Sequence, residues 1–175
     1  MLPAPTDLRT QRLLLRAPTP ADAESVFAYA SDPEATRYMG WPRHRELGET
    51  HAFLTLTQRA WELHGVSTYL IELDGRVIGS TGLEVQSPGW AITGYILRRE
   101  AWGHGFATEA CRAMAGLAGT LGLERLTAHC HPAHTASARG LEKSGFTLEA
   151  VLTRDRVFPN LSLEAQDVRS YSLRP

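Results

Sequence analysis

Two glycines bracket one histidine in REAWGHGFATEACRAM, residues 99–114, where Gly103, His104 and Gly105 stand directly ahead of a run of good helix formers. Glycine there gives up side-chain packing and adds chain entropy that folding must remove. What it offers is bare backbone. A helix N-terminus leaves its first N–H groups without intrahelical partners and carries partial positive charge, so it favours anions. Glycines just ahead let phosphate oxygens approach those groups with no Cβ in the way. One reading of the segment is a phosphate or pyrophosphate cradle. The other is a strand-to-helix turn whose glycines only relieve backbone strain, and a glycine pair alone does not choose between them.

Two familiar cradles are excluded by the residues around it. A P-loop needs a lysine within its glycine motif, and the sole lysine is Lys143. A dinucleotide-binding turn wants a third small residue and an acid closing the next strand; Thr108 occupies the first of these positions, and Glu124 precedes the next strand instead of ending it. Metal chemistry is conceivable at His129, His131 and His134, the first two on one strand face. No acidic ligand lies near them in sequence, so no metal is expected. Cys111 and Cys130 fall inside periodic segments and read as reduced thiols, Cys111 on an apolar helix face.

The elements that must position these groups are legible from periodicity. RTQRLLLRAPT (9–19) reads as a strand leading to a helix capped by Thr19, with Pro20 at its first position and Val26, Phe27 and Ala30 on its apolar face. A turn-rich link, residues 31–42, carries Tyr38, Met39 and Trp41. A second helix is expected over 47–64, with Phe53, Leu54, Leu56, Trp61 and Leu63 as its apolar residues. VSTYLIEL and RVIGSTGLEV form a hairpin about Asp74-Gly75, and a turn at 87–89 leads to the strand WAITGYIL, 90–97. After the glycine segment, Ala107, Ala110, Cys111, Met114, Leu117, Ala118 and Leu121 recur at helical spacing until Gly122. The strand RLTAHC, a helix closed by Gly145, and strands near 147–156 and 164–173 complete an α/β chain with a mixed sheet.

Composition bounds the function. At 175 residues, with 43% hydrophobic and 21% charged residues, one globular domain over 1–175 is expected. A net charge of −1 argues against a dedicated nucleic-acid binder. No apolar run approaches the roughly 18 residues of a membrane span, and MLPAPTDLRTQR does not read as a signal peptide, so a cytoplasmic protein without membrane partners is expected.

Four stretches in order carry a resemblance covering essentially the whole chain: LRTQRLLLRAPTPADAESVFAYASDPEATRYMGWP, GYILRREAWGHGFATEA, HTASARGLEKSGF and DVRSYSL. The chain resembles the GNAT superfamily of acetyl-CoA-dependent N-acetyltransferases, particularly its RimJ/RimL-like branch. The resemblance implies a GNAT-like fold of about seven mostly antiparallel strands with about four helices. It implies acetyl-CoA as donor and direct attack of an acceptor amine on the thioester, without an acyl-enzyme or a metal. It places the segment Gly103, His104, Gly105, Phe106, Ala107 and Thr108 on the coenzyme pyrophosphate through main-chain N–H groups. Ile96 and Leu97 then lie beside the pantetheine arm, where a β-bulge and splayed strands open the sheet edge, and a backbone N–H there can polarise the thioester carbonyl.

The same resemblance gives Ser137 the role of assisting the leaving thiolate, against a plain helix-start duty. His134 stands where the family has an asparagine touching coenzyme. Ile92 and Thr93 replace the usual glutamate before Gly94-Tyr95, so Glu84 on the neighbouring strand becomes the substitute base, unless it is a solvent-facing strand residue. Tyr38, Trp41 and Phe158 either line the acceptor pocket or fill the helix–sheet core. The implied partner is a small-molecule amine or a protein N-terminus, and a homodimer is compatible with the sequence. The alternatives are a catalytically silent acyl-CoA-binding or sensing module, motivated by the missing glutamate and asparagine, and a metal-dependent hydrolase built on the histidines.

Overall fold

The N-terminal apolar run forms two short strands, not one. In the computed structural model, which describes residues 3–175, β1 (Asp7–Arg9) and β2 (Leu14–Arg16) pair antiparallel. Met1 and Leu2, the first residues of the stretch read as no signal peptide, lie outside the described residues. The turn between the strands is held by Thr10, whose hydroxyl accepts the Leu13 N–H at 2.9 Å. A 3-10 turn at Pro20–Asp22 then enters α1 (Ala23–Ala30), and the Asp22 carboxylate accepts the Thr19 N–H and hydroxyl at 2.7 and 2.9 Å.

Helix α2 (Leu47–His64) has the expected bounds and ends on Gly65, whose φ of +69° only glycine takes readily. Its apolar face is narrower than expected. Leu54 is buried, whereas Leu56 and Leu63 are 63% and 77% exposed. The hairpin of β3 (Thr68–Leu73) and β4 (Arg76–Ser87) turns at Asp74-Gly75, and β5 (Trp90–Leu97) returns antiparallel along β4. The rest of the chain is α3 (Phe106–Thr120), β6 (Arg125–Cys130), α4 (Thr135–Lys143), β7 (Thr147–Phe158) and β8 (Ser162–Leu173).

The eight strands make one sheet in the order β1-β2-β3-β4-β5-β6-β8-β7, against about seven expected. Every neighbouring pair is antiparallel except β5 and β6. Alternation sends successive side chains to opposite faces. Tyr69, Ile71 and Ile78 join α3 and α4 residues such as Met114 and Leu141 in one core. Leu70, Val77 and Ile96 join Val26, Tyr29 and Leu54 in the other. Burying side chains of this size contributes roughly 1.5–3 kcal/mol each, which fixes the strand register face by face. No helix among the described residues is long and apolar enough to cross a membrane.

The parallel seam is short. β5 and β6 pair only from Trp90↔Arg125 to Ile92↔Thr127, where the Trp90 indole donates to the Thr127 hydroxyl at 3.0 Å. Beyond that clasp β6 stays on β8 as far as Cys130, while β5 stays on β4 as far as Leu97. The two strands part.

Candidate active site

The glycine segment is a strand-to-helix entry with its main chain laid bare. A 3-10 turn, Arg99–Ala101, follows β5, and Gly103 and Gly105 adopt φ of +79° and +81° immediately before α3. Both values lie in the left-handed region that β-carbon-bearing residues avoid. The Trp102 N–H bonds the Arg99 carbonyl, and the next main-chain donor with a partner is Glu109, on Gly105 O at 3.0 Å. Among the described residues, the N–H groups of Gly103 through Thr108 have no acceptor. Residues 102–105 are exposed, so these donors face solvent at the positive end of a four-turn helix. Geometry and charge there both suit an anion.

A carboxylate stands inside it. Glu109 lies in the first turn of α3, where it would repel a bound phosphate were it free. It is not free. One oxygen accepts the Thr10 hydroxyl at 2.6 Å and the Arg12 N–H at 2.8 Å, and the other accepts the Arg12 guanidinium at 2.7 Å. Burial pushes its pKa up, but these donors together hold it below the usual carboxylate range. Arg12 also donates to the His104 carbonyl at 2.9 Å and lies 4.5 Å over the Phe106 ring. The β1–β2 turn thus clamps the cradle, an arrangement that local sequence reading missed. The available signal was an acid in the first turn of an anion-binding helix, which calls for a compensating cation.

Where β5 and β6 part, side chains from five segments enclose a cavity of about 110 Å³. Its β5 wall is Thr93, Gly94 and Tyr95; its β6 wall is Ala128, His129 and Cys130. Helix α4 contributes Ser137, with His134 just ahead of it, and the α1–α2 link contributes Tyr38, while β7 contributes Arg156 and Phe158. Tyr95 reaches across to α4, donating to the Ser137 carbonyl at 3.3 Å and its hydroxyl at 3.5 Å. The approach requires Gly140, because a Cβ there would stand 2.5 Å from the Tyr95 hydroxyl. Burial pushes the Tyr95 pKa up to about 12, so the phenol stays protonated as a donor. Among the described residues the Ser137 hydroxyl is engaged by the Tyr95 phenol and by no main-chain donor of α4.

The residue pattern and the architecture point to one protein class. Residues 12–147 match the acetyltransferase (GNAT) domain. The chain belongs to the GNAT family of acetyltransferases. An uncharacterized N-acetyltransferase, p20 of Bacillus licheniformis, is 32% identical over 151 residues, covering 83% of this chain and 84% of that protein. Two solved structures share the fold. The microcin C7 self-immunity acetyltransferase MccE, in complex with acetyl-CoA and AMP, superposes with a TM-score of 0.87 at 19% identity, covering 99% and 98% of the two chains. RimL, the ribosomal L7/L12 α-N-protein acetyltransferase in complex with coenzyme A, gives 0.85 at 20% identity, covering 98% and 97%. The mixed α/β GNAT fold and a transferase activity follow from the match.

Within this GNAT acetyltransferase the expected site residues separate into groups. Gly103 to Thr108 form the row of free main-chain donors, with the Phe106 side chain in the core and only its main chain available. Ile96 and Leu97 lie on the stretch of β5 that β6 no longer pairs, between the glycine segment and the cleft, their side chains buried on opposite faces. The expected bulge beside them is not there. The β4–β5 register runs unbroken from Gly79↔Leu97 to Val85↔Ala91 and shifts only between Val85 and Ser87. Strand parting alone opens the edge. The Trp102 indole donates to the Leu97 carbonyl at 2.9 Å, tying the cradle to the strand end.

On the other side, Tyr38 and Phe158 line the cleft with Ser137 and His134. Trp41 does not; it packs on the core beneath α1, 5.5 Å from the His44 ring. Glu84 is exposed on β4 opposite Ile92 and is not part of the cleft wall. The histidines do not converge on a point. Tyr38 stacks on His131 and His134 at 5.2 and 4.7 Å, and His131 packs edge-on to Phe158 at 5.0 Å. Burial, then the neighbouring His131, pushes the His134 pKa down. His129 is the residue that sequence reading underrated. It lies on the cavity wall, its Nδ1 is buried without a hydrogen-bond partner among the described residues, and burial followed by the Arg156 charge lowers its pKa, with Asp155 opposing.

Proposed function

We propose that this GNAT acetyltransferase takes acetyl-CoA as donor and moves the acetyl group directly to the primary amine of a small molecule or a protein N-terminus. The observation that carries the reading is the row of unpartnered main-chain donors from Gly103 to Thr108, continuous through Leu97 with a parted pair of strands. The fit to a diphosphate is chemical as well as spatial. The donors are neutral amides at a helix N-terminus, the local carboxylate is already neutralised by Arg12, and a Cβ at Gly103 would occupy open space that phosphate oxygens can use. Bound there, acetyl-CoA supplies the thioester that the acceptor amine attacks.

The chain's own groups do the rest. Free N–H groups on the β5 edge are placed to polarise a carbonyl lying between the strands. The Ser137 hydroxyl, receiving a hydrogen bond from Tyr95, donates toward the departing sulfur, and Tyr95 can replenish it. His134 lines the coenzyme side of the cleft and fixes Tyr38 by stacking. Because Glu84 stands off the cleft, the proton of the acceptor ammonium goes to His129, a neutral imidazole at pH 7. The charged and titratable groups around that imidazole are Arg156 and Asp155 of β7, Tyr38 of the link, Tyr95 of β5 and His134 at α4.

In this reading residues 1–175 act as one acyltransferase domain in a cytoplasmic setting, related to the RimJ/RimL-like branch that the four sequence stretches resemble. Calorimetry with acetyl-CoA, followed by thiol release over amino acids, polyamines and peptides beginning with Ala, Ser or Met, tests it. The expected result is binding plus thiol release with at least one amine class. Binding without release would return the chain to the acyl-CoA sensor class, and no binding would remove the cradle.

A further inference from the structure

The cleft's charge is one-sided. Its wall contains no Asp, Glu or Lys, and its permanent charge is Arg156. Several arginines elsewhere are ion-paired: Arg12 with Glu109, Arg16 with Asp22 and Glu72, Arg99 with Asp32, Arg125 with Glu149. Arg156 is half-buried, yet among the described residues its guanidinium makes no hydrogen bond and no ion pair. Taking a cation partly out of water without a partner is unfavourable, so the position calls for an anion.

The strand is shaped to aim it. Between Leu152↔Val168 and Arg156↔Gln166 the β7–β8 register slips, so that Thr153, Arg154 and Asp155 stand opposite Asp167 alone. Arg154 takes a φ of +49°, and its N–H is held by the Asp167 carboxylate at 3.0 Å. A left-handed non-glycine residue is strained and persists only where the surroundings enforce it. Bulges of this kind re-aim the side chain that follows. Here that side chain is Arg156, which enters the cleft beside the unpartnered Nδ1 of His129.

We propose that Arg156 and His129 form an anion subsite on the acceptor side, so that the preferred acceptor is a primary amine carrying a carboxylate within a few bonds of the nitrogen. The inference rests on the acetyl-transfer reading and narrows its substrate class. A guanidinium presents paired donors that match a carboxylate in two-point fashion, whereas a polyamine would bring cation against cation. The carboxylate can come from a free amino acid or from an acidic residue at a peptide N-terminus.

The test compares thiol release from acetyl-CoA with L-glutamate and L-methionine, their α-amides, peptides beginning Glu or Gln, and spermidine. Carboxylate-bearing amines should exceed their neutral counterparts in kcat/KM by roughly 10- to 100-fold, the worth of a charge-assisted pair. Free amino acids leading their amides would assign the α-carboxylate, and Glu peptides leading Gln peptides would assign the side chain. Arg156→Gln should collapse either preference by raising acceptor KM, with acetyl-CoA affinity and melting temperature unchanged, and Arg156→Lys should restore part of it. Equal rates for carboxylate and neutral acceptors, a lead by spermidine, or a preference that survives Arg156→Gln would overturn the anion subsite while leaving acetyl transfer intact. A wild-type protein that neither binds acetyl-CoA nor releases thiol with any amine would overturn the parent reading instead.

Discussion

The cradle before α3 and the cleft between β5 and β6 are neighbours along one strand, yet they are built from different materials. The cradle is main chain: amides from Gly103 to Thr108, stiffened from outside by the Arg12–Glu109 clamp. The cleft is side chain, with Tyr95, His129, Ser137 and Arg156 brought from four elements to one cavity. An amide-built site recognises what every substrate of the class shares, and it tolerates most side-chain changes. A side-chain-built site can be retuned residue by residue, so under the proposed function acceptor choice falls to the cleft. Substitutions should therefore split cleanly: cradle changes move coenzyme affinity, and cleft changes move turnover or acceptor preference.

The largest effect is expected in the cleft. Ser137→Ala should lower kcat by about 100-fold, the lower end for a general acid, while the dissociation constant for acetyl-CoA stays within a factor of about two. Steady-state kinetics beside calorimetry reads both numbers. Unchanged turnover would reduce Ser137 to a first-turn helix residue. Next comes the cradle. Gly105→Val forces a β-branched side chain into φ of +81° with Arg12 Nη2 3.5 Å from its Cβ, and the entry to α3 must shift. Acetyl-CoA affinity should fall roughly tenfold or more. Retained affinity in a folded variant would mean that the helix start is not where the coenzyme is held.

Arg12→Ala sharpens the same contrast on a smaller scale. The side chain is 42% exposed, so its loss should weaken coenzyme binding no more than about fivefold. The sign is the informative part. Glu109 would be left uncompensated at the phosphate end of the helix, and Arg12→Ala/Glu109→Gln together should recover much of the affinity. If the double variant binds as poorly as Arg12→Ala, the guanidinium touches phosphate itself and does not merely neutralise Glu109.

The same division explains what could be read from sequence. The cradle was legible because its determinants are local: two glycines, a preceding strand and a following helix within one stretch. So were α2, the Asp74-Gly75 hairpin and the α3 stripe, all set by short-range periodicity or turn chemistry. The β1–β2 turn was not. TQR contains no glycine, proline or asparagine, and its turn is fixed by the Thr10 side chain, which a carboxylate from α3 in turn holds. Arg156 was invisible for a related reason, since the register slip that aims it depends on Asp167 in the partner strand. Glu84 has a base's chemistry on a neighbouring strand, and only the sheet shows that it sits outside the cavity wall. Tyr38, Phe158 and Trp41 were one undivided aromatic set until the tertiary packing sent two to the cleft and one to the core.

The smallest expected effect is also the one that distinguishes an imidazole base from a carboxylate. Burial and Arg156 hold His129 below the ordinary imidazole value near 6.5, so the neutral form, the one able to take a proton, predominates at pH 7. For an acceptor whose own amine is kept fully protonated by a pKa well above 9, the imidazole contribution to kcat/KM should be flat above pH 7 and fall only below 6.5. His129→Gln should abolish that acid limb while acetyl-CoA binding persists. Stability follows the same sign. His129, His131 and His134 are all held below their unfolded values, so the unfolded chain takes up protons first as the pH drops through about 6.5. Denaturant midpoints should therefore decline from that point, and the decline continues as the lowered carboxylates Asp22, Asp32 and Glu109 take up protons in turn. The two acid limbs can be told apart because only the kinetic one depends on His129 alone. If kcat/KM keeps its acid limb in His129→Gln, the proton leaves by another group, and the cleft side of the comparison loses its base while the cradle side stands.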